Sequence, residues 1–473
     1  MFNQLDYNFS RKLDFQRNLN LFKEKNLSDL GLNNIKKNLQ KHLQFLMIDM
    51  YSSWRESKDQ MLSVSMSKRG YKAKSRYNPN GISAITIEAV NILKKEKLIN
   101  FFPGFFDSKR KVSRLTRISA KDFLIDYFKK FKFTPNELNN LRSKEYIFII
   151  NHKQELMEYS DNFETHEIRE ILKNYNFLLS KTFFDIPCIE KDFIQRADNS
   201  KIIISDYCKN SHFIFHNNIN NLGKLQGNWW SKLDLMSIQK YSNHMIINDS
   251  KTSYIELSDF FLNFLQKFFN LNPVEINLED IVKKFHFLNH NSQLCLLIEK
   301  LVSSKNFAGF KKSFWNIKRK MGIHKSVNEK DLELFIDYLV KDLNSLKKLI
   351  FSGKAFSWEA ITSKIFLKLL KSFGTTNSNI PIIKVYDKFY YPTSLEMNVL
   401  EYFETVLKKE LKVKIRLKTK NCYQYEASRS KSIFKKLVIN NLNYTLRYKN
   451  NKKNFITSLI RNNIFTNHPM SKN

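Results

Sequence analysis

Residues 81–119 read GISAITIEAVNILKKEKLINFFPGFFDSKRKVSRLTRIS. Ser83 is a favoured N-cap residue, and Thr86 and Glu88 fall in the first turns of the helix it would start. Ile87, Val90 and Leu93 then recur at the helical period on one face. Lys95-Glu96-Lys97-Leu98-Ile99 ends the helix, and a hairpin follows. One strand runs through Leu-Ile-Asn-Phe-Phe-Pro-Gly-Phe-Phe-Asp to Asp107, the tip is Ser108-Lys109-Arg110-Lys111, and the return strand is Val112 to Ser119. Helix, strand, basic turn, strand is the order of a winged helix-turn-helix unit. Such a helix enters the major groove and the wing tip meets phosphate.

Lys68, Arg69, Lys72, Lys74 and Arg76 precede this unit, and Lys109, Arg110, Lys111, Arg114 and Arg117 lie on its wing. Phosphate contacts need such donors, and each neutralised phosphate adds a salt-dependent increment of affinity. The competing readings are a winged helix that contacts protein and a solvated charged hairpin. On the N-terminal side, Leu39, Leu43, Leu46, Met50 and Trp54 fall at helical spacing, so residues 12–57 read as helices, and residues 58–82 read as a polar, basic loop. On the C-terminal side, residues 131–200 are mixed and mostly helical. KIIIS, HFIFH and HMIIN are short β-like runs within 201–270. Residues 275–375 are largely helical, 380–392 (IPIIKVYDKFYYP) read as a β-hairpin, and a helix follows at 394–410. From about 411 the chain is basic again, and the alternating KVKIRLK is either an edge strand with charged side chains or a nucleic-acid contact.

The whole chain agrees with a polyanion partner. Lys plus Arg number 79 against 45 Asp plus Glu, a formal net charge of +34 over 473 residues. Codon bias in an AT-rich genome enriches Lys, Asn, Ile and Phe, but it enriches Asp and Glu as well. The remaining surplus repels itself in a compact fold unless an anion compensates it. Nucleic acid is the partner this implies; no basic amphipathic helix beside an apolar anchor points to a membrane surface. The 41 Phe and 20 Tyr exclude a disordered chain. Cys188, Cys208, Cys295 and Cys422 form no CxxC pair or finger spacing, so neither disulfides nor structural zinc are expected. The first residues carry no apolar signal core and no run is long enough to span a bilayer. The expected compartment is a bacterial cytoplasm, with an organelle matrix as the other reading. The pairs His212/His216 and His286/His290 are spaced i, i+4 but lack a third ligand, and no GxxxxGK or GxSxG sequence occurs.

Further along, Leu222-Gly223-Lys224 precedes Gly227-Asn228-Trp229-Trp230. Tyr254-Ile255-Glu256-Leu257-Ser258-Asp259-Phe260 follows, then Ile380-Pro381-Ile382-Ile383-Lys384-Val385-Tyr386-Asp387-Lys388. With the unit at 45–120, ending in Ser113-Arg114-Leu115-Thr116-Arg117, the order and spacing over residues 40–410 resemble a family of phage- and plasmid-associated bacterial replication-type proteins. That family joins an N-terminal winged helix to a palm similar to family A DNA polymerases. The resemblance implies a carboxylate on one strand and another on a neighbouring hairpin, which together bind Mg²⁺ for nucleotidyl transfer. Carried onto this chain, it assigns Asp259 and Asp387 as catalytic and metal-binding, with Glu256 as a substitute first ligand. The family's Glu-Leu-Asp-Tyr-Ser is Glu256-Leu257-Ser258-Asp259-Phe260 here, a displacement of one residue, and one residue on a strand turns a side chain to the other face. Tyr386 replaces the family's His and Lys388 its Ser. Lys224 stands where the family has Arg, and Trp229 and Trp230 would stack on bases if they are not core.

The fold expected is α+β and helix-rich: residues 1–130 helical with a winged helix at about 58–120, 131–410 a palm-like domain with helical insertions, and 411–473 a basic extension. The function expected is replication-associated nucleic-acid binding, on duplex or primed DNA, with a polymerase-like nucleotidyl-transfer domain. The alternatives are a non-catalytic DNA-binding protein and an RNA-binding accessory protein.

Overall fold

The computed structural model describes residues 9–109, 112–139, 144–271, 278–323, 326–342, 346–375, 380–411, 417, 419–422 and 444–461. It is α+β and helix-rich, with about 49% helix and 16% strand. Two large apolar cores organise it, one built from residues between Phe22 and Leu138, the other from residues between Tyr146 and Cys422. The break therefore falls just past the expected boundary at 130.

The first core is centred on helix α1 (Lys37–Glu56), which buries Leu39, Leu43, Leu46 and Met50 at the spacing read from sequence. Helix α2 (Ile85–Lys95) packs on it with Thr86, Ala89, Val90 and Leu93 inward. Thr86 bonds the buried His42 ring at 2.9 Å, and Ser83 sits before the helix rather than on its N-cap, which is Ala84. Against these helices lies a four-stranded sheet. Its strands are β1 (Ser10–Lys12), β2 (Met61–Val64), β3 (Ile99–Phe102) and β6 (Thr116–Ala120), in the order β1-β2-β6-β3. Strand β2 lies inside the stretch read as a polar loop. Its four buried residues, Met-Leu-Ser-Val, are too few to show a period. Between β3 and β6 the chain leaves the sheet as a hairpin of β4 (Phe105–Asp107) and β5 (Val112–Arg114), registered Phe105 to Arg114 and Phe106 to Ser113. Gly104 makes that exit possible: a Cβ there would lie 2.7 Å from the Thr116 nitrogen and press on the Arg114 carbonyl. The helix, strand, basic hairpin and strand thus occur in the order read from sequence.

The second core begins with a sheet of β7 (Ile147–Ile150), β8 (Leu156–Met157), β9 (His212–His216) and β10 (Lys224–Gln226), ordered β10-β9-β7-β8. Helix α3 (Phe163–Ser180) packs on β7 and is capped by Asn162, whose side chain accepts from the Thr165 N–H. The sheet that holds the candidate site contains β11 (Thr252–Glu256), β12 (Ile383–Val385), β13 (Lys388–Pro392) and β14 (Thr419–Asn421), ordered β12-β13-β11-β14 and antiparallel throughout. Helices α4 (Phe261–Phe269), α5 (Asn291–Ser303), α6 (Trp358–Thr375) and α7 (Glu396–Leu411) surround it.

The C-terminal part is not an appended extension. Strand β14 hydrogen-bonds along β11, with Tyr254 opposite Lys420, and helix α8 (Leu446–Arg461) buries Tyr448, Phe455 and Leu459 against Phe183 and Ile246. The unpaired edge of β11 is what draws the tail in, because its N–H and C=O groups need partners. The alternating run KVKIRLK lies outside the described residues except for Leu417. No helix among the described residues is long and apolar enough to cross a membrane.

Candidate functional site

Strand β11 is buried at all five positions and ends in Glu256; the chain then turns through a short 3-10 helix, Leu257–Phe260, into α4. On the neighbouring hairpin, β12 and β13 are joined by the two-residue turn Tyr386-Asp387, with Val385 registered to Lys388. Tyr386 holds φ at 57°, a left-handed conformation that an aromatic residue rarely adopts. That conformation sets Asp387 over the end of β11: the Leu257 N–H donates to the Asp387 carbonyl at 2.9 Å, and Glu256 is registered directly to Lys388.

The carboxylate that meets Asp387 is therefore Glu256. Ser292, in the first turn of α5, has its Oγ 3.1 Å from Glu256 Oε1 and 3.0 Å from Asp387 Oδ2. A hydroxyl carries one proton, so it can donate to only one of two ionised carboxylates; the second contact is satisfied if Asp387 is the protonated partner and donates to Ser292. The electrostatics agree. Burial, then the neighbouring Glu256 charge, pushes the Asp387 carboxyl up to about 7, although Ser292 and the Trp358 indole N–H, 3.3 Å from Oδ2, favour the ionised form. Burial also opposes ionisation of Glu256, but the Lys388 and Lys420 ammoniums outweigh it and hold this group down at about 2. Lys420 makes the contact directly, Nζ to Oε2 at 2.8 Å. The burden of two adjacent buried carboxylates is thus eased from two sides, by the raised pKa of Asp387 and by the two lysine charges facing Glu256.

Asp259 is not part of this pair. It lies one turn further on, exposed, and its Oδ1 accepts from the Asn291 side chain at 2.9 Å. The assignment of Asp259 with Asp387 is corrected to Glu256 with Asp387, because the strand ends at Glu256 and the chain has already left the sheet when it reaches Asp259. Taken as a Mg²⁺ centre, the donor set does not fit. Glu256 is ion-paired with Lys420, whose ammonium sits at Oε2 where a cation would bind, and the buried Lys388 adds a second positive charge nearby. Among the described residues no group of three or more His, Cys, Asp or Glu could hold a metal ion.

Asp387 carries a pH signature. Its folded pKa lies above its unfolded value of about 3.9, so its contribution to stability is fully present below that value and is lost as pH rises through about 7. Thermal denaturation from pH 5 to 8 is expected to show this decline in the wild type. Asp387→Asn, which keeps a neutral side chain of the same shape, is expected to flatten it. An equally steep decline in the mutant would show that another group titrates.

The expected nucleic-acid contacts divide into two groups. Lys68, Arg69, Lys72, Lys74 and Lys109 are exposed, and none has an ion-pair partner among the described residues. Lys109 stands at the tip of a hairpin whose Phe105 and Phe106 are 49% and 74% exposed, beside exposed Val112 and Leu115. Arg114 stacks over Phe105 at 5.1 Å and donates to the Pro103 carbonyl, while Arg117 donates to the Leu115 carbonyl. Arg110 and Lys111 lie outside the described residues. The other group is structural. Arg76 pairs with Asp161 at 3.0 Å and lies 3.6 Å from the centroid of Tyr159, and Lys224 pairs with Glu359 at 3.1 Å. Trp229 and Trp230 are 1% and 0% exposed, packed on Phe184, so they cannot stack on bases. An apolar ring next to a β-strand edge is more stable buried than displayed, which is why this pair is core. Of the i, i+4 histidines on β9, burial pushes His212 down to about 3, and its ring packs on Phe148.

Sequence reading did not single out Ser292 or Trp358, and it placed Lys420 only in the basic tail. Each reaches the site from a different element, and none carries a local motif. No protein-family model matches the chain, and no curated protein matches it.

Proposed function

We propose that this chain is a nucleic-acid-binding protein associated with replication of a mobile element, acting in a bacterial cytoplasm. In this reading its polymerase-like carboxylate pair serves as a buried ion-pair centre rather than a nucleotidyl-transfer site. The observation that carries the binding half is that Lys68, Arg69, Lys72 and Lys74, in the loop before α2, and Lys109, at the hairpin tip, are exposed and have no ion-pair partner among the described residues. Cations without carboxylate partners on a protein of net charge +34 repel one another, and phosphates of duplex or primed DNA relieve that repulsion. The exposed Phe105 and Phe106 give the hairpin an apolar surface for base or sugar contact between those phosphate contacts. The resemblance of residues 40–410 to replication-type proteins supports the same role.

The non-catalytic half rests on Lys420, whose ammonium is bound to Glu256 at 2.8 Å on the side a metal would need. Two-metal nucleotidyl transfer needs both carboxylates ionised and facing the metals. Two measurements test the proposal together. Lys68→Glu, Lys72→Glu and Lys74→Glu combined should weaken duplex binding uniformly across sequences and flatten the salt dependence. The slope of log K against log salt should fall by about 0.9 for each phosphate contact removed, so by roughly 2–3. Primer extension with Mg²⁺ or Mn²⁺ should give no product. Extension that Asp387→Ala abolishes would overturn the structural role of the pair, and an unchanged salt slope would overturn the binding surface.

A further inference from the structure

A cleft of about 340 Å³ opens where the two cores meet the C-terminal helix, and it shares no residue with the carboxylate pair or the exposed cation cluster. Its walls are the end of α1 (Trp54, Arg55), residues 129–136, residues 205–210 with the end of α3, and α8. The volume is within the range that holds small-molecule ligands, roughly 300–1,000 Å³. Its charge is lopsided. The acid on the wall, Asp206, is already matched by Lys209, which also donates to the Thr182 carbonyl at 2.7 Å. Lys129 is paired with Asp126. Arg55, Lys132, Lys453 and Arg461 remain, and among the described residues none of the four has a carboxylate within ion-pair reach.

Arg55 is the most informative of these. It is half-buried, its Nε donates to the Tyr207 hydroxyl at 3.1 Å, and its guanidinium lies 5.8 Å from the Trp54 ring centroid and 5.3 Å from that of Tyr207. A guanidinium beside two rings, with no carboxylate in ion-pair reach among the described residues, is oriented for an anion that arrives from outside. Phe131 and Phe133 also line the cleft, half-buried, with ring centroids 5.2 Å apart and both packed on Phe22, so the exposed part of each ring adds apolar surface to the wall. Arg461 donates to the Lys132 carbonyl and ties the end of α8 across the opening. Uncompensated cations beside aromatic faces match the two halves of a nucleotide.

We propose that this cleft binds a nucleoside phosphate, its phosphate held by Arg55, Lys132, Lys453 and Arg461 and its base laid against the aromatic wall. The ligand is either a free nucleotide or the phosphorylated end of a nucleic-acid strand, which present the same chemistry. The test uses the full-length protein and isothermal titration with ATP. A short single-stranded oligonucleotide, with and without a 5′ phosphate, is titrated alongside. ATP binding identifies a free nucleotide as a ligand; tighter binding of the 5′-phosphorylated oligonucleotide identifies a strand end. In either case Lys132→Glu with Lys453→Glu should weaken that binding about tenfold or more, since charge-assisted contacts are lost. Both lysines are exposed, so the fold should be unaffected, and Arg55→Gln provides a second, milder variant at the same wall. Combined Lys68→Glu, Lys72→Glu and Lys74→Glu should leave ATP binding unchanged, which separates this cleft from the duplex surface. No ATP binding together with no effect of the 5′ phosphate overturns the proposal. So does binding that the Lys132/Lys453 variant leaves intact.

Discussion

Trp230→Ala is expected to destabilise the protein by about 3–5 kcal/mol, the range for removing a fully buried large aromatic. Trp230 packs edge-on against Trp229 with centroids 5.5 Å apart and against Phe184 at 5.1 Å, and no part of it reaches solvent. Truncation leaves a cavity that three neighbouring elements cannot collapse to fill, because β10, the 3-10 turn Trp230–Lys232 and the strand carrying Phe184 are each hydrogen-bonded elsewhere. Trp230→Phe separates packing from polarity. The indole N–H has no acceptor within the described protein, so losing it removes a buried unsatisfied donor along with some ring area. The phenylalanine variant should therefore lose clearly less stability than the alanine variant in chemical denaturation. If either substitution instead weakened DNA binding by the folded protein at unchanged stability, the tryptophans would be contacts after all and not core.

That pair also shows where sequence reading stops. Two adjacent tryptophans are equally consistent with a core seam and with a base-stacking platform, and only burial decides between them. The hairpin at 380–392 was legible because Pro381 and Pro392 bracket two apolar runs around Tyr386-Asp387, and a two-residue turn needs little else. The partner of Asp387 was not legible in the same way. Strand β11 is buried on both faces, so Thr-Ser-Tyr-Ile-Glu shows no alternation from which a register can be read. A one-residue uncertainty there decides between Glu256 and Asp259. Lys420 was unreadable for another reason: it reaches Glu256 from 164 residues away, on a strand that looked like a basic tail. The cations met the same limit. Lys72 and Arg76 are four residues apart in one basic loop, yet the first is exposed and the second is locked between Glu145, Glu158 and Asp161. Sequence locates positive charge, but only the fold says which of it is already spoken for. The cleft is the extreme case, since its four unmatched cations come from three distant segments.

Arg447→Met is expected to cost about 3–5 kcal/mol, the effect of breaking a buried ion pair by removing one partner. Arg447 meets Asp185 through two contacts, Nη1 to Oδ2 at 3.1 Å and Nη2 to Oδ1 at 2.6 Å, and it also donates to the carbonyls of Ile186 and Ile189. Both side chains are nearly inaccessible, at 6% and 2%. Methionine fills much of the volume but leaves the Asp185 carboxylate with only the Asn451 side chain, 3.3 Å away, as a donor from α8. Asp185→Asn combined with Arg447→Met should recover much of the loss, because no bare charge then remains inside. The cost should be local before it is global. Helix α8 rests on the small cluster of Phe183, Ile246, Tyr448, Phe455 and Leu459, and the ion pair is its main polar anchor. Hydrogen exchange in Arg447→Met should therefore accelerate first across residues 446–461, while α1 and α2 stay protected. Undocking of α8 also removes Lys453 and Arg461 from the cleft, so nucleotide binding there should fall together with protection of the helix. The proposed duplex binding through Lys68, Lys72 and Lys74, in the N-terminal half, should persist. If protection were lost evenly across both cores, α8 would be part of one cooperative unit with the N-terminal half, and the cleft would be a seam rather than a separable site.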